Sequence, residues 1–375
     1  MRWFVALPLL VACSGPPLIA CSGEPVPPVH PTATAPPPPE PLPTLAPTAQ
    51  PPAPATLTPV DSLPLARGDG SRSDGFPQEG DRAYSNGEAA TALEAYASAA
   101  FFAPKDPAAL VGIARATLAR EDVPTGVNSA PDNKAARAMV DKLQAAVLLD
   151  DGYHRAHLEL GRTLLVLGEV TAALRPLRRA ATLEPLDPEA QSAVGLALLA
   201  SGHKNEALVP LEQAAVLEPT VVERHINYAT ALLMAGHLHA AIERFRHASQ
   251  LQPGQPQIHS SLGAAYLQAG NLAGAMPHLR QAVELDPQRA GFHSNLGYAY
   301  LLSGTRNEAI ASFRKALELD PKLVAAWINL GNAQAQNGDY GDARTAYMEA
   351  KAIDPSDPRV DNVLAELDEL EKRPP

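Results

Sequence analysis

The side chains in this sequence with the most potential for chemistry are its histidines. His157, His225, His259 and His293 are separated by multiples of 34 residues. Imidazole nitrogens are common metal ligands and general bases. A zinc site needs its ligand nitrogens at about 2.0–2.1 Å from one point, whereas side chains on successive stacked helices lie roughly 8–10 Å apart. The row therefore predicts semi-buried packing residues, and we expect no bound metal.

No other constellation in the sequence supports catalysis. It contains no glycine-rich phosphate loop, no nucleophile-elbow motif and no haem-attachment motif. We therefore expect a protein without enzymatic activity, cofactor or small-molecule substrate. Because the net charge is −11 and no basic cluster occurs, nucleic-acid binding is not expected either. The alternative is an enzyme, or the regulatory subunit of one, with the histidine row as its site.

A repeat of 34 residues positions these side chains. A fixed period of this length is typical of stacked repeat arrays rather than of one closed core. Glycines at a helix end favour a sharp turn into a second helix, and a proline closing each unit predicts the end of that helix. A second small residue seven positions before each glycine predicts a close crossing of the two helices. The marker glycines are Gly168, Gly202, Gly236, Gly270, Gly304 and Gly338.

The unit resembles the tetratricopeptide repeat. Segments 295–300 (NLGYAY) and 316–321 (ALELDP) match that repeat closely. The resemblance implies an all-α fold, a right-handed α-solenoid of stacked helix-turn-helix units whose first helices line a groove for proteins or extended peptides. The early tryptophan of the family occurs only at Trp327, and Gln191 or a histidine replaces it in the other full units.

The repeat divides the chain into regions. We expect six full units over residues 154–357 and two degenerate units over residues 73–153. The second degenerate unit is stretched by an inserted loop near residues 120–133, which is rich in Pro, Gly, Asn and Asp. Residues 358–375 predict a capping helix and tail that give the array a polar end.

The N-terminal region has a different composition. Residues 1–20 are typical of an export signal, because a basic start and a short apolar run precede a small residue and cysteine. The sequences that end at Cys13 and Cys21 each resemble the bacterial lipoprotein box, in which the cysteine is lipidated. Cys21 gives the more usual signal length, whereas Cys13 directly follows the apolar run. Residues 21–72, rich in Pro, Ala and Thr, predict a disordered tether because they cannot bury a core.

The lipoprotein resemblance implies a location. Serine follows both cysteines, which fits an outer-membrane lipoprotein that faces the periplasm, and acyl chains would anchor it. We therefore expect a lipid-anchored scaffold of the cell envelope that helps to assemble a complex such as a pilus secretin. The alternatives are an adaptor of a cell-wall enzyme or, with an ordinary cleaved signal or a disulfide between the cysteines, a soluble secreted binding module.

The candidate contacts for a peptide lie on the first helices. An asparagine side chain offers both a donor and an acceptor, so a row of them can pair with an extended backbone without reading its sequence. The alternative is that these amides only satisfy local polar contacts. The candidate groove residues are Asn227, Ser261, Asn295 and Asn329 at one repeat position, and Thr230, Tyr298 and Asn332 about one turn further on.

Overall fold

The computed structural model of the chain describes Leu65 and residues 75–372, and every regular element in this part is an α-helix. None of these helices is long and apolar enough to cross a membrane. The export signal, both cysteines and all of the tether except Leu65 lie outside the described residues. The helices are α1 Gly75–Ser85, α2 Ala89–Phe102, α3 Pro107–Arg120, α4 Lys134–Leu149, α5 His154–Val166, α6 Val170–Leu183, α7 Pro188–Ala200, α8 Lys204–Leu217, α9 Val222–Met234, α10 Leu238–Leu251, α11 Pro256–Gln268, α12 Leu272–Leu285, α13 Ala290–Leu302, α14 Arg306–Leu319, α15 Val324–Gln336, α16 Tyr340–Ile353 and α17 Pro358–Glu371.

The helices stack as hairpins, each formed by an odd-numbered helix and the next even-numbered one. Odd-numbered helices of neighbouring hairpins also contact each other along most of the array, whereas the described even-numbered helices show no contacts of comparable extent. The odd-numbered helices therefore form the more tightly curved side, which we call the inner face. The predicted all-α solenoid of stacked helix-turn-helix units is confirmed.

The turn inside each full hairpin depends on its marker glycine. Gly202 has a φ of +82°, and the carbonyl oxygen of Leu199 accepts its N–H at 3.0 Å. The next N–H, of His203, donates to the carbonyl of Leu198 at 2.9 Å. This pair of hydrogen bonds is the Schellman arrangement, and it satisfies carbonyls that the helix end leaves open. All six marker glycines have positive φ, as does Gly87 in the first hairpin.

The two helices of a hairpin cross where the second small residue lies. A Cβ atom added at Gly195 would stand 2.3 Å from Cγ of Leu211, and one at Gly331 would stand 2.3 Å from the ring of Tyr347. The missing side chain thus makes room for a large buried one, which fills the crossing at close-packed density. Ala229 takes the same repeat position opposite Phe245, and both are fully buried.

The loop between α3 and α4 packs on the array. The backbone N–H of Asn128 donates to the carbonyl of Leu165 at 2.8 Å, and the N–H of Ala130 donates to the carbonyl of Val166 at 3.1 Å. Both acceptors are in the last turn of α5, where helix carbonyls lack intrahelical partners. The insertion therefore caps a neighbouring hairpin and leaves the stacking order unchanged.

Candidate protein-binding face

The inner face carries the predicted groove residues, and the structure buries most of them. Side chains at both repeat positions are at most 7% exposed, except the half-buried Tyr298. Burial raises the pKa of the Tyr298 phenol. Neighbouring odd-numbered helices thus pack closely at these two repeat positions, and only some of the groove residues are open to solvent. Peptide contact by the row stays a prediction. The buried members are Asn227, Thr230, Ser261, Asn295, Asn329 and Asn332.

Two hydrogen bonds show how these amides are used inside the array. The side-chain N–H of Asn295 on α13 donates to the hydroxyl oxygen of Ser260 on α11 at 3.1 Å. The hydroxyl of Tyr347 on α16 donates to the side-chain oxygen of Asn332 on α15 at 2.8 Å. The first bond joins neighbouring hairpins and the second joins the two helices of one hairpin. Each buried hydrogen bond of this kind contributes about 1 kcal/mol.

A line of buried charges occupies the inner face nearer the N-terminus, and we call it the charge ladder. It consists of Arg115 on α3, Glu159 and Arg162 on α5, Glu189 on α7 and Arg224 on α9. Nε of Arg115 lies 3.6 Å from Glu159, and Nη1 of Arg162 lies 2.7 Å from Glu189. Glu189 also pairs with Nη2 of Arg224, so its carboxylate joins two guanidinium groups. Positive and negative groups alternate across four hairpins.

The ladder is almost completely buried, which determines its energetics. Each side chain is 9% exposed or less, and withdrawal of an ion from water costs several kcal/mol unless it is paired. Burial alone would lower the pKa of Arg115, but Glu159 and two nearby tyrosines outweigh burial and raise it. The ladder was missed in the sequence because its members take different repeat positions. The available signal was opposite charge at separations of 27 and 35 residues, close to one repeat.

A cavity of about 140 Å³ opens beside the ladder. Tyr84, Arg115, Glu159 and Arg162 line it together with apolar residues of the inserted loop, such as Val123. The guanidinium carbon of Arg115 lies 4.6 Å from the centre of the Tyr84 ring, within cation–π range. The insertion therefore adds a wall to the inner face that the regular hairpins lack.

The histidine row has a structural task. Nε2 of His225 donates to the carbonyl of Pro219 at 2.9 Å, and His259 makes the same bond to Pro253 at 2.8 Å. Equivalent side chains elsewhere also donate to the carbonyl six residues earlier: His157, Gln191, His293 and Trp327. Each bond ties the start of a hairpin to the loop that precedes it. These histidines are thus packing residues that also make a hydrogen bond to the backbone.

Two members of the row meet a second histidine. The rings of His225 and His247 stand edge to face with centres 4.5 Å apart, and Nδ1 of His259 lies 3.4 Å from Nδ1 of His278. Burial lowers the pKa of His225, and His247 and the Arg244 guanidinium lower it further. Among residues 75–372 there is no group of three or more His, Cys, Asp or Glu placed to hold a metal ion.

The stacked hairpins, the glycine turns and the inner face define a helical-repeat solenoid. Models described as Tetratricopeptide repeat match residues 132–188, 158–220 and 300–367, and one described as TPR repeat matches residues 265–304. The chain belongs to the tetratricopeptide repeat family. Proteins of this family mediate protein–protein interaction, and the scaffold is typically non-enzymatic.

The chain also matches solved structures. The APC/C hetero-tetramer Cut9-Hcn1 matches with a TM-score of 0.56 at 16% identity, over 80% of this chain and 57% of that chain. This chain therefore spans little more than half of that relative. YrrB, described as a TPR protein with an unusual peptide-binding site, gives a TM-score of 0.39 at 18% identity, over 50% of this chain and 97% of that chain. Pseudomonas aeruginosa pilF gives a TM-score of 0.48 at 18% identity, over 58% of this chain and 98% of that chain. Curated protein sequences give no match.

Proposed function

We propose that this protein is a non-enzymatic scaffold that holds extended segments of partner proteins along its inner face. The observation that carries the proposal is the set of polar side chains on this face, with a charge ladder at one end and amide and hydroxyl groups at the other. These donors and acceptors recur at regular intervals, and a partner segment that replaces their contacts within the array would pair them with its extended backbone.

A crosslinking experiment tests this proposal. A photoreactive residue replaces the half-buried Tyr298 on the inner face and, as a matched control, the exposed Arg314 on α14. Irradiation in intact cells is expected to capture one partner from position 298 and not from position 314. Equal capture at both positions, or none at position 298, would contradict the proposal.

The amide row is tested by substitution. We expect the pair Asn295→Ala and Asn329→Ala to weaken capture of that partner while the array stays folded. The matched control is the pair Asn205→Ala and Asn307→Ala, which removes exposed amides from even-numbered helices. Circular dichroism confirms folding of all variants. Unchanged capture by the first pair would exclude the amide row as the peptide contact.

We further propose that a lipid on Cys21, or on Cys13, anchors this scaffold to the outer membrane on its periplasmic side, where it helps to assemble an envelope complex such as a pilus secretin. The support is the lipobox-like sequence before each cysteine and the serine that follows it. Labelling of cells with palmitate is expected to mark the wild type and not the Cys13→Ala, Cys21→Ala double variant. A wild type without label would refute the anchor and leave the soluble secreted module.

A further inference from the structure

One residue of the proline-rich N-terminal region is held inside the solenoid. Leu65 is only 1% exposed and belongs to the same buried apolar cluster as Ala83, Ala92 and Tyr96 of the first hairpin. A passive tether gives no reason for such burial. Complete removal of a leucine side chain from water contributes about 1.5–3 kcal/mol, so the contact is a substantial one.

The backbone of Leu65 is also bound, and by side chains. Its N–H donates to Oδ2 of Asp81 at 2.6 Å, and its carbonyl accepts from the hydroxyl of Tyr153 at 3.3 Å. The other carboxylate oxygen of Asp81 accepts from the hydroxyl of Tyr96 at 2.7 Å, which fixes the acceptor in place. Both backbone groups and the side chain of this one residue are thus recognised.

These contacts lie on the inner face. Asp81 is on α1, and Tyr153 immediately precedes α5, while α3 contacts both α1 and α5. Leu65 therefore links the first hairpin to the start of the third. Tyr84, one turn along α1 from Asp81, lines the cavity beside the charge ladder, so the Leu65 contact and that cavity are neighbours along one helix.

We propose that the inner face of the first three hairpins is a binding site for an extended peptide with a leucine side chain, and that Leu65 occupies this site as an intramolecular ligand. The proposal deepens the proposed function, on which it rests. A partner segment of the same chemistry would bind by displacing Leu65. Asp81 and Tyr153 would then hold its backbone, and the apolar cluster would hold its side chain.

Competition from Leu65 should weaken the apparent affinity for a free peptide by an amount that depends on the linker. Nine residues separate Leu65 from Gly75, and short linkers give effective concentrations on the order of 1 mM. For a peptide whose intrinsic Kd is about 100 µM, such a competitor weakens apparent binding about tenfold. The site is therefore closed to weak ligands and open to a tighter or more concentrated one.

The test uses the full chain and a labelled synthetic peptide with the sequence of residues 60–70. Fluorescence anisotropy is expected to show binding to the Leu65→Gly chain and about tenfold weaker binding to the wild type. Tyr153→Phe, added to Leu65→Gly, should weaken binding, and a peptide with glycine in place of its Leu65 should not bind. The matched control is Leu186→Gly, which removes a leucine that is 73% exposed and should leave the wild-type affinity unchanged.

Equal affinity for the wild type and the Leu65→Gly chain, or no binding to either, would overturn the proposal and make Leu65 a fixed part of the core.

A second measurement needs no variant. The Leu65 amide of the wild type should be protected from deuterium exchange and lose protection when excess peptide is added; unchanged protection would also overturn the proposal. Failure here is separable from failure of the scaffold function, because the crosslinking position 298 lies four hairpins further along the array.

Discussion

Glu189 is the residue on which the charge ladder can be tested most directly. Its carboxylate lies 2.7 Å from Nη1 of Arg162 and also pairs with Arg224, and its side chain is 9% exposed. Glu189→Gln keeps the shape and removes the charge between two guanidinium groups. Arg224 retains Glu218 at 2.8 Å, and Arg162 retains Glu159 at the longer distance of 4.0 Å.

Removal of one partner of a buried ion pair costs about 3–5 kcal/mol, because the remaining charge stays desolvated. Since Arg224 keeps a second carboxylate, we expect the lower end, about 3 kcal/mol lost from the free energy of unfolding. Urea titration followed by far-ultraviolet circular dichroism measures this loss. The matched control is Glu206→Gln, which breaks the exposed pair with Arg178 and should cost less than about 1 kcal/mol.

A second variant separates charge from packing. Replacement of Arg162, Glu189 and Arg224 together by methionine removes every charge of the central ladder, and such replacements are often neutral or stabilising by about 1–4 kcal/mol. We therefore expect the triple variant to be more stable than Glu189→Gln. A loss below about 1 kcal/mol for Glu189→Gln, or a triple variant that is less stable still, would refute the argument that unpaired buried charge is the cause.

Three further predictions concern the hairpins. Gly236→Ala should cost about 1–2 kcal/mol of unfolding free energy because φ is +86°, whereas Gly254→Ala, in open space without positive φ, should be within about 0.5 kcal/mol of wild type. Gly195→Ala should cost about 1–3 kcal/mol by overpacking against Leu211, and a crystal structure with Leu211 unmoved would contradict this. The pKa of His225 is lowered in the folded chain from its usual value of 6.5. Below pH 6.5 the unfolded chain therefore binds this proton more readily than the folded chain, and the free energy of unfolding decreases as pH falls. His225→Gln should therefore lose less stability than wild type between about pH 7 and 5 in urea titrations, and an equal loss would contradict the assignment.

The sequence predicts what is local to one repeat. Gly202 and its equivalents take positive φ because a helix end followed at once by another helix requires it, and that constraint lies within a few residues. The replacement of tryptophan by His225 or Gln191 likewise preserves one local donor, and the bond to the carbonyl six residues earlier follows. Period and residue type suffice for these features.

The relations between repeats are less predictable. The exposure of Asn329 depends on how closely α13, α15 and α17 approach, which no single 34-residue unit encodes, and the structure buries it fully. The ladder joins Arg162 to Glu189 and Glu189 to Arg224 across different repeat positions. A comparison of equivalent positions in successive repeats therefore does not detect it. Leu65 lies in a segment whose composition alone indicates a tether, and only the three-dimensional contact with Asp81 distinguishes it.

The two kinds of inner-face contact differ in strength, and this difference bears on where a partner segment can bind. Between α3 and α9 the hairpins are joined by buried ion pairs, each of which costs about 3–5 kcal/mol to break. Between α11 and α13, Asn295 donates a neutral hydrogen bond to Ser260, which contributes about 1 kcal/mol. A peptide can replace a neutral amide contact with an equivalent one of its own, whereas it cannot replace a desolvated guanidinium–carboxylate pair without carrying a matching charge. The amide half of the inner face is therefore the part in which a neutral extended segment can replace contacts between hairpins, and the ladder is the part that keeps the array in register while it does so.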